Sequence, residues 1–108
     1  MSKEALQHLK LKNLTWSTDS ISASYFSSKT PEEYSQHLNY PFHNGLELSI
    51  LTGWVAGGSP KPHLHYEVLI RKNGIDWENN PWYPQGPTSH LTEKEVIELI
   101  GKMDDHII

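Results

Sequence analysis

The sequence contains no cysteine among its 108 residues. Without thiols there is no disulfide framework, no thiolate metal site and no cysteine nucleophile. The sequence also lacks any apolar run near the roughly 18 residues that a membrane span requires. Its first residues, MSKEALQHLKLK, lack the apolar centre of a signal peptide. We therefore expect a cytoplasmic protein without a membrane segment.

Positive charge is scarce as well. Nine lysines and arginines stand against thirteen aspartates and glutamates, which leaves a formal net charge of −4. A nucleic-acid-binding protein usually carries a basic surplus or a basic stripe, and here only Lys3, Lys10 and Lys12 come near one another. Nucleic acid is therefore not favoured as a partner, and we expect a peptide or a protein.

The first 41 residues predict two helices with strand between them. Apolar positions over residues 2–11 indicate a short helix. Residues 14–26 indicate one or two strands, with a turn at residues 17–20. Thr30 followed by proline and two glutamates is typical of a helix start with a capping box, and this helix must end before Pro41.

The second half of the sequence predicts a hairpin. Strand patterns cover Leu46–Val55 and Leu64–Lys72, and a glycine-rich and proline-containing segment separates them. Asn73-Gly74 then leads into Ile75–Trp77. Asn-Gly between alternating strands is the strongest short signal for a two-residue turn.

A loop and a final helix complete the chain. Three prolines predict a loop over residues 79–87. Thr92 and Glu95 form a second capping-box pattern, and the helix after it places an apolar stripe on one side, at Val96, Ile97, Ile100 and Met103. We predict one α+β domain over residues 1–108. Short helices, including this C-terminal helix, flank a small antiparallel sheet with the hairpin at Asn73-Gly74.

The segment PHLHYEV, residues 62–68, is the most distinctive local pattern. Alternate side chains of a strand share a face, so His63, His65 and Glu67 are predicted to point away from the apolar residues between them. Two histidines in this spacing can bind one zinc ion, or one can bind it while the other transfers protons. Half-exposed strands show the same alternation without any metal.

A zinc site needs further ligands. Catalytic zinc commonly takes three protein ligands from histidine, aspartate and glutamate, and it keeps a water position open. His43 and Glu47, just before the preceding strand, offer one imidazole and one carboxylate. The metal lowers the pKa of its bound water to about 7, and a nearby histidine can then move the proton.

The same motifs resemble the lysostaphin-type zinc endopeptidases, which cut peptidoglycan cross-bridges. ISASYFSSK, PFHNGLEL, PHLHYEV and the later RKNGIDWENNPWYP follow that family's order over about residues 21–84, in a shortened form. The resemblance implies zinc ligands at His43 and His65, with Glu47 in place of the family's aspartate ligand. It implies that His63 is the general acid/base, in a domain that is either active or degenerate.

Strand register tests this zinc hypothesis. If residues 57–60 form a tight turn, Glu47 pairs near Ile70, roughly 17 Å from His65 along the sheet. If residues 53–61 are all loop, Glu47 pairs near Glu67 and lies within about 7–8 Å of His65. Only the second register lets the two side chains share a metal ion.

An alternative hypothesis about function rests on large aromatic residues. Trp77, Trp82 and Tyr83 follow the hairpin, and Trp54 precedes the glycine pair. Such residues on loops either anchor a partner or cap the open end of a small core. The alternative function is therefore a small acidic protein-binding protein without enzymatic activity, of the immunity, inhibitor or anti-defence kind.

Overall fold

The computed structural model of this chain describes residues 3–18, 36–53, 63–84 and 86–107. The α+β fold class is confirmed. Two α-helices, one 3-10 turn and six strands lie in these ranges: α1 (Lys3–Gln7), the 3-10 turn (Leu11–Asn13), β1 (Ser17–Thr18), β2 (Gln36–Pro41), β3 (Leu46–Thr52), β4 (Tyr66–Lys72), β5 (Ile75–Asp76), β6 (Thr88–Leu91) and α2 (Glu93–Asp104).

All six strands belong to one antiparallel sheet. Strands β1 to β5 follow chain order, and β6 also pairs with β4. Strand β4 is therefore central: β3 lies along one edge, while β5 and β6 share the other. The β3–β4 register is continuous from Leu46↔Lys72 to Thr52↔Tyr66.

The hairpin predicted at Asn73-Gly74 is confirmed. Lys72 pairs with Ile75, and the two turn residues have φ values of 53° and 81°. Two successive positive φ angles define the type I′ turn, whose twist matches that of the flanking strands. Strand β4, however, begins at Tyr66 and not at the predicted Leu64.

The N-terminal half differs from the predicted elements at two places. Residues 17–18, predicted as a turn, form β1, because Ser17 pairs with His37 on β2. Residues 36–41 form β2, paired along its length with β3, so a helix that starts at Thr30 must end well before Pro41. Thr30 itself lies outside the described residues.

The C-terminal helix α2 covers one face of the sheet. The predicted capping box is confirmed: the Thr92 side chain accepts a hydrogen bond from the Glu95 backbone N–H, and the Glu95 side chain accepts one from the Thr92 N–H. Side chains of β3, β4 and α2 form most of the core, and Leu11 and Leu91 also belong to it: Leu46, Leu48, Ile50, Tyr66, Val68, Ile70, Val96, Leu99, Ile100 and Met103.

The helix α1 packs against α2. A Cβ on Gly101 would stand 3.0 Å from the Leu6 side chain, so the two helices approach closely there. Among the described helices, none has the length and apolar character needed to cross a bilayer.

Candidate functional site

The predicted zinc ligands lie at opposite ends of the sheet, with His43 and Glu47 at one end and His65 at the other. Glu47 pairs with Arg71 on β4, whereas His65 lies just before the other end of that strand. Six residues of strand separate these positions, or about 20 Å at 3.4 Å per residue. This is close to the tight-turn register, the one that keeps Glu47 and His65 apart. Within the described ranges, no group of three or more histidine or acidic side chains could hold a metal ion.

His43 lies in the turn between β2 and β3, at the Glu47 end of the sheet. The Nδ1 atom of His43 is 3.5 Å from the Oδ1 atom of Asp104, at the end of α2. The side chain of the next residue, Asn44, donates hydrogen bonds to the backbone carbonyls of Met103 and His106. This turn therefore ties the sheet to the end of α2, and the predicted set of His43, Glu47 and His65 does not fit one zinc ion.

His63 does not share a face with His65 and Glu67, so that part of the prediction is wrong. His63 has a φ of 64° and stands in a turn before β4. Its ring reaches the hydroxyl of Tyr66, one of the core-facing residues of that strand. Leu64, one of the apolar residues of the predicted alternation, is 49% exposed. The strand alternation fails here because the backbone before Tyr66 is not extended.

Both ring nitrogens of His63 have hydrogen-bond partners. Nε2 lies 2.9 Å from the side-chain oxygen of Gln36, and Nδ1 lies 3.0 Å from the Tyr66 hydroxyl. Because the amide oxygen only accepts, this arrangement assigns the proton to Nε2, and the Tyr66 hydroxyl donates to Nδ1. Neither nitrogen is left to take a proton from a substrate.

The surroundings of His63 favour the neutral imidazole. Burial lowers its pKa, Lys12 lowers it further, and Glu93 opposes both. The Trp16 ring packs edge-on against it at 5.0 Å, and the His63 backbone N–H donates to the Thr52 hydroxyl at 2.7 Å. Burial also raises the pKa of the Tyr66 hydroxyl. The network joins β2, β3, β4 and the N-terminal segment, which is a structural role.

The loop between β5 and β6 is built around Asn80, which is only 3% exposed. The Asn80 amide nitrogen donates to the carbonyls of Trp77 and Tyr83, at 2.8 and 3.1 Å. Its side-chain oxygen accepts from the backbone N–H groups of Trp82 and Tyr83, at 3.0 and 2.6 Å. One buried side chain thus holds both ends of the segment 77–83, and it satisfies backbone groups that have no strand partner.

Three rings pack against one another beside this loop. Trp82 lies edge-on to Trp77 at 6.0 Å and edge-on to His106 at 5.2 Å, and Trp77 and His106 are 5.7 Å apart. The Lys72 ammonium stands 4.8 Å from the Trp77 ring centre. One face of Trp77 is therefore already in contact with a cation, and the cluster holds the Trp82 ring in place.

A polar cleft of about 250 Å³ runs between the loop and α2. Residues of the loop form one wall and residues of α2 the other: Pro81, Trp82, Tyr83, Glu95, Glu98, Leu99 and Lys102. Burial raises the pKa of the Tyr83 hydroxyl, and the carboxylates of Glu95 and Glu98 raise it further. The cleft therefore joins half-buried aromatic side chains to two negative charges.

The structure thus brings together three of the four residues of the predicted aromatic surface. Trp77, Trp82 and Tyr83 lie together and are half-buried, while Trp54 lies outside the described residues. Asp76, next to Trp77 in the chain, accepts a hydrogen bond from the Arg71 guanidinium at 3.1 Å. The negative charge beside Trp82 comes from α2.

Sequence reasoning did not assign Asn80, His106, Glu95 or Glu98 to a binding site. The spacing of Glu95 and Glu98 by three residues on a predicted helix could have placed both on one face. Nothing local could have shown that the loop packs on that face.

No known protein family, curated protein or solved structure matches this chain. The resemblance to lysostaphin-type endopeptidases stays a prediction from the motifs.

Proposed function

We propose that this protein is a binding protein without enzymatic activity, which recognises a basic segment of another protein at the cleft between the loop 77–83 and α2. The observation that carries the proposal is the cleft itself, in which Trp82 and Tyr83 face Glu95 and Glu98. An arginine or lysine side chain there would meet carboxylates and aromatic rings together. Both are favourable partners for a cation.

Preorganisation supports this proposal. A loop that orders only on binding costs free energy, whereas the four hydrogen bonds of Asn80 already hold segment 77–83 in one conformation. The ring cluster of Trp77, Trp82 and His106 fixes the Trp82 side chain in the same way. Rigid aromatic side chains on a held loop are typical anchors of a protein interface.

The net negative charge of the chain also favours a basic partner. The chain carries a net charge of −4, and Glu98 is exposed at the cleft. A basic partner would be attracted at long range, and its association rate should fall as salt rises. Lys102 also lines the cleft, and its positive charge would repel a basic side chain placed beside it.

The binding of a short arginine-rich peptide, followed by tryptophan fluorescence, tests the proposal. Trp82→Ala should weaken binding by about 2 kcal/mol or more, which is roughly thirtyfold. Glu98→Gln should also weaken it. The matched control is Glu4→Gln, which removes the same charge from an exposed position on α1. A glutamate-rich peptide should not bind.

A second experiment looks for the natural partner. A photo-crosslinking amino acid replaces the exposed Pro81 at the rim of the cleft, and in a control chain it replaces the exposed Leu64. A protein crosslinked only from position 81 should be lost when Trp82→Ala is added. If Glu98→Gln and Glu4→Gln weaken peptide binding equally, and Trp82→Ala changes neither assay, the cleft is not the binding site.

A further inference from the structure

The pairing of β6 with β4 contains an irregularity at His90. Tyr66 pairs with Leu91, but Val68 pairs with Thr88, so Glu67 of β4 faces both Ser89 and His90. Two residues opposite one are a β-bulge, which redirects a side chain locally and often occurs next to functional sites. His90 has a φ of 64°, which is uncommon for a residue other than glycine.

The bulge brings two imidazoles together. The ring centres of His90 and His65 are 6.1 Å apart, with their planes at 60°. His65 is half-buried just before β4, and His90 is exposed on β6. Across the described part of the chain, neither ring has a hydrogen-bond or ion-pair partner. Their nitrogens are therefore not committed to the fold, in contrast to those of His63.

The distance between the rings suits one shared metal ion. With metal–nitrogen bonds of about 2.0–2.1 Å, the centres of two imidazoles on one ion lie about 5 Å apart in tetrahedral geometry and about 6.4 Å apart in linear geometry. The observed 6.1 Å lies within this range, and a tetrahedral arrangement needs the rings to approach by about 1 Å. His90 is exposed, so its ring has room for this movement.

We infer that His65 and His90 form a two-histidine site for a divalent first-row transition-metal ion. Imidazole is a favourable ligand for zinc, nickel and copper. The two rings supply two ligands, and water fills the remaining positions. The site shares His65 with the zinc set suggested by the sequence, but it replaces His43 and Glu47 by one residue that the β-bulge of β6 brings near.

Isothermal titration of the metal-free protein with Zn²⁺, and separately with Ni²⁺, tests this site. The wild-type chain should bind one ion, and the ion should raise its melting temperature. His65→Ala and His90→Gly should each weaken binding by tenfold or more. Glycine is chosen at position 90 because it removes the ring and accepts the positive φ, so the variant should fold.

Two controls separate this site from other histidines. His43→Ala should leave binding unchanged, which distinguishes the pair from the zinc set suggested by the sequence. His8→Ala removes an exposed imidazole from a distant position and should also have no effect. Undiminished binding in His90→Gly, or no binding to the wild-type chain at millimolar metal, would overturn the inference.

Discussion

Asn80 gives the sharpest test of how the aromatic loop is held. Its side chain is 3% exposed and makes four hydrogen bonds, two donated and two accepted. A hydrogen bond contributes about 0.5–1.5 kcal/mol net, so the four together contribute about 2–6 kcal/mol. Water can reach part of the loop once it loosens, since Trp82 and Tyr83 are only half-buried. We therefore expect Asn80→Ala to lower the free energy of unfolding by about 2–4 kcal/mol.

Urea unfolding followed by tryptophan fluorescence and by circular dichroism measures this loss. For a domain of this size the melting temperature should fall by roughly 10–20 °C. Asn79→Ala is the matched control, because the neighbouring asparagine is exposed and such substitutions usually change stability by less than about 0.5 kcal/mol. Asn80→Asp keeps both accepted hydrogen bonds but places a carboxylate against two carbonyl groups, so it should also destabilise. Equal stabilities for the two alanine variants would refute the role assigned to Asn80.

The remaining predictions concern the core network, the helix cap and the sheet. Burial lowers the pKa of His63, so its neutral form stabilises the fold: this contribution should be complete above the unfolded histidine pKa of about 6.5 and should be lost as pH falls below it. Unfolding free energies of wild type and His63→Gln, compared between pH 7.5 and 5, should converge in acid, and a constant difference would contradict this. Thr92→Ala should cost about 1 kcal/mol in thermal unfolding, while the exposed Thr15→Ala should cost almost nothing. Leu48→Ala, at a fully buried position of β3, should cost about 2–5 kcal/mol in urea unfolding, and a loss below 1 kcal/mol would mean that the core closes around the cavity.

Several elements could be predicted from the sequence because their signals are local. The turn at Asn73-Gly74 needs only two residues that accept positive φ, and both do so here. The capping box at Thr92 needs a hydroxyl and a carboxylate three residues apart. The strand alternation of β4 holds from Tyr66 onward, where Tyr66, Val68 and Ile70 are buried and the residues between them are not.

The candidate site was harder to predict from the sequence, because its residues are far apart in the chain. The alternation rule assigned His63 to the wrong face, since the rule assumes an extended backbone and His63 has a positive φ. Asn80 is one of four asparagines or glutamines between residues 73 and 85, and nothing in the pattern marks it as buried. The partners of Trp82, namely His106 and the acidic face of α2, follow it by more than ten residues.

Local sequence signals specify the elements whose energetics lie within a few residues: the I′ turn, the cap of α2, and the alternating apolar positions that require one covered sheet face. Which side chains meet depends instead on strand register and packing. The β3–β4 register places Glu47 opposite Arg71 and thereby separates it from His65, while a bulge in β6 brings His90 to His65 instead. Register and packing depend on the fit of the whole core, because a shift of one residue would move every side chain of a strand to the other face.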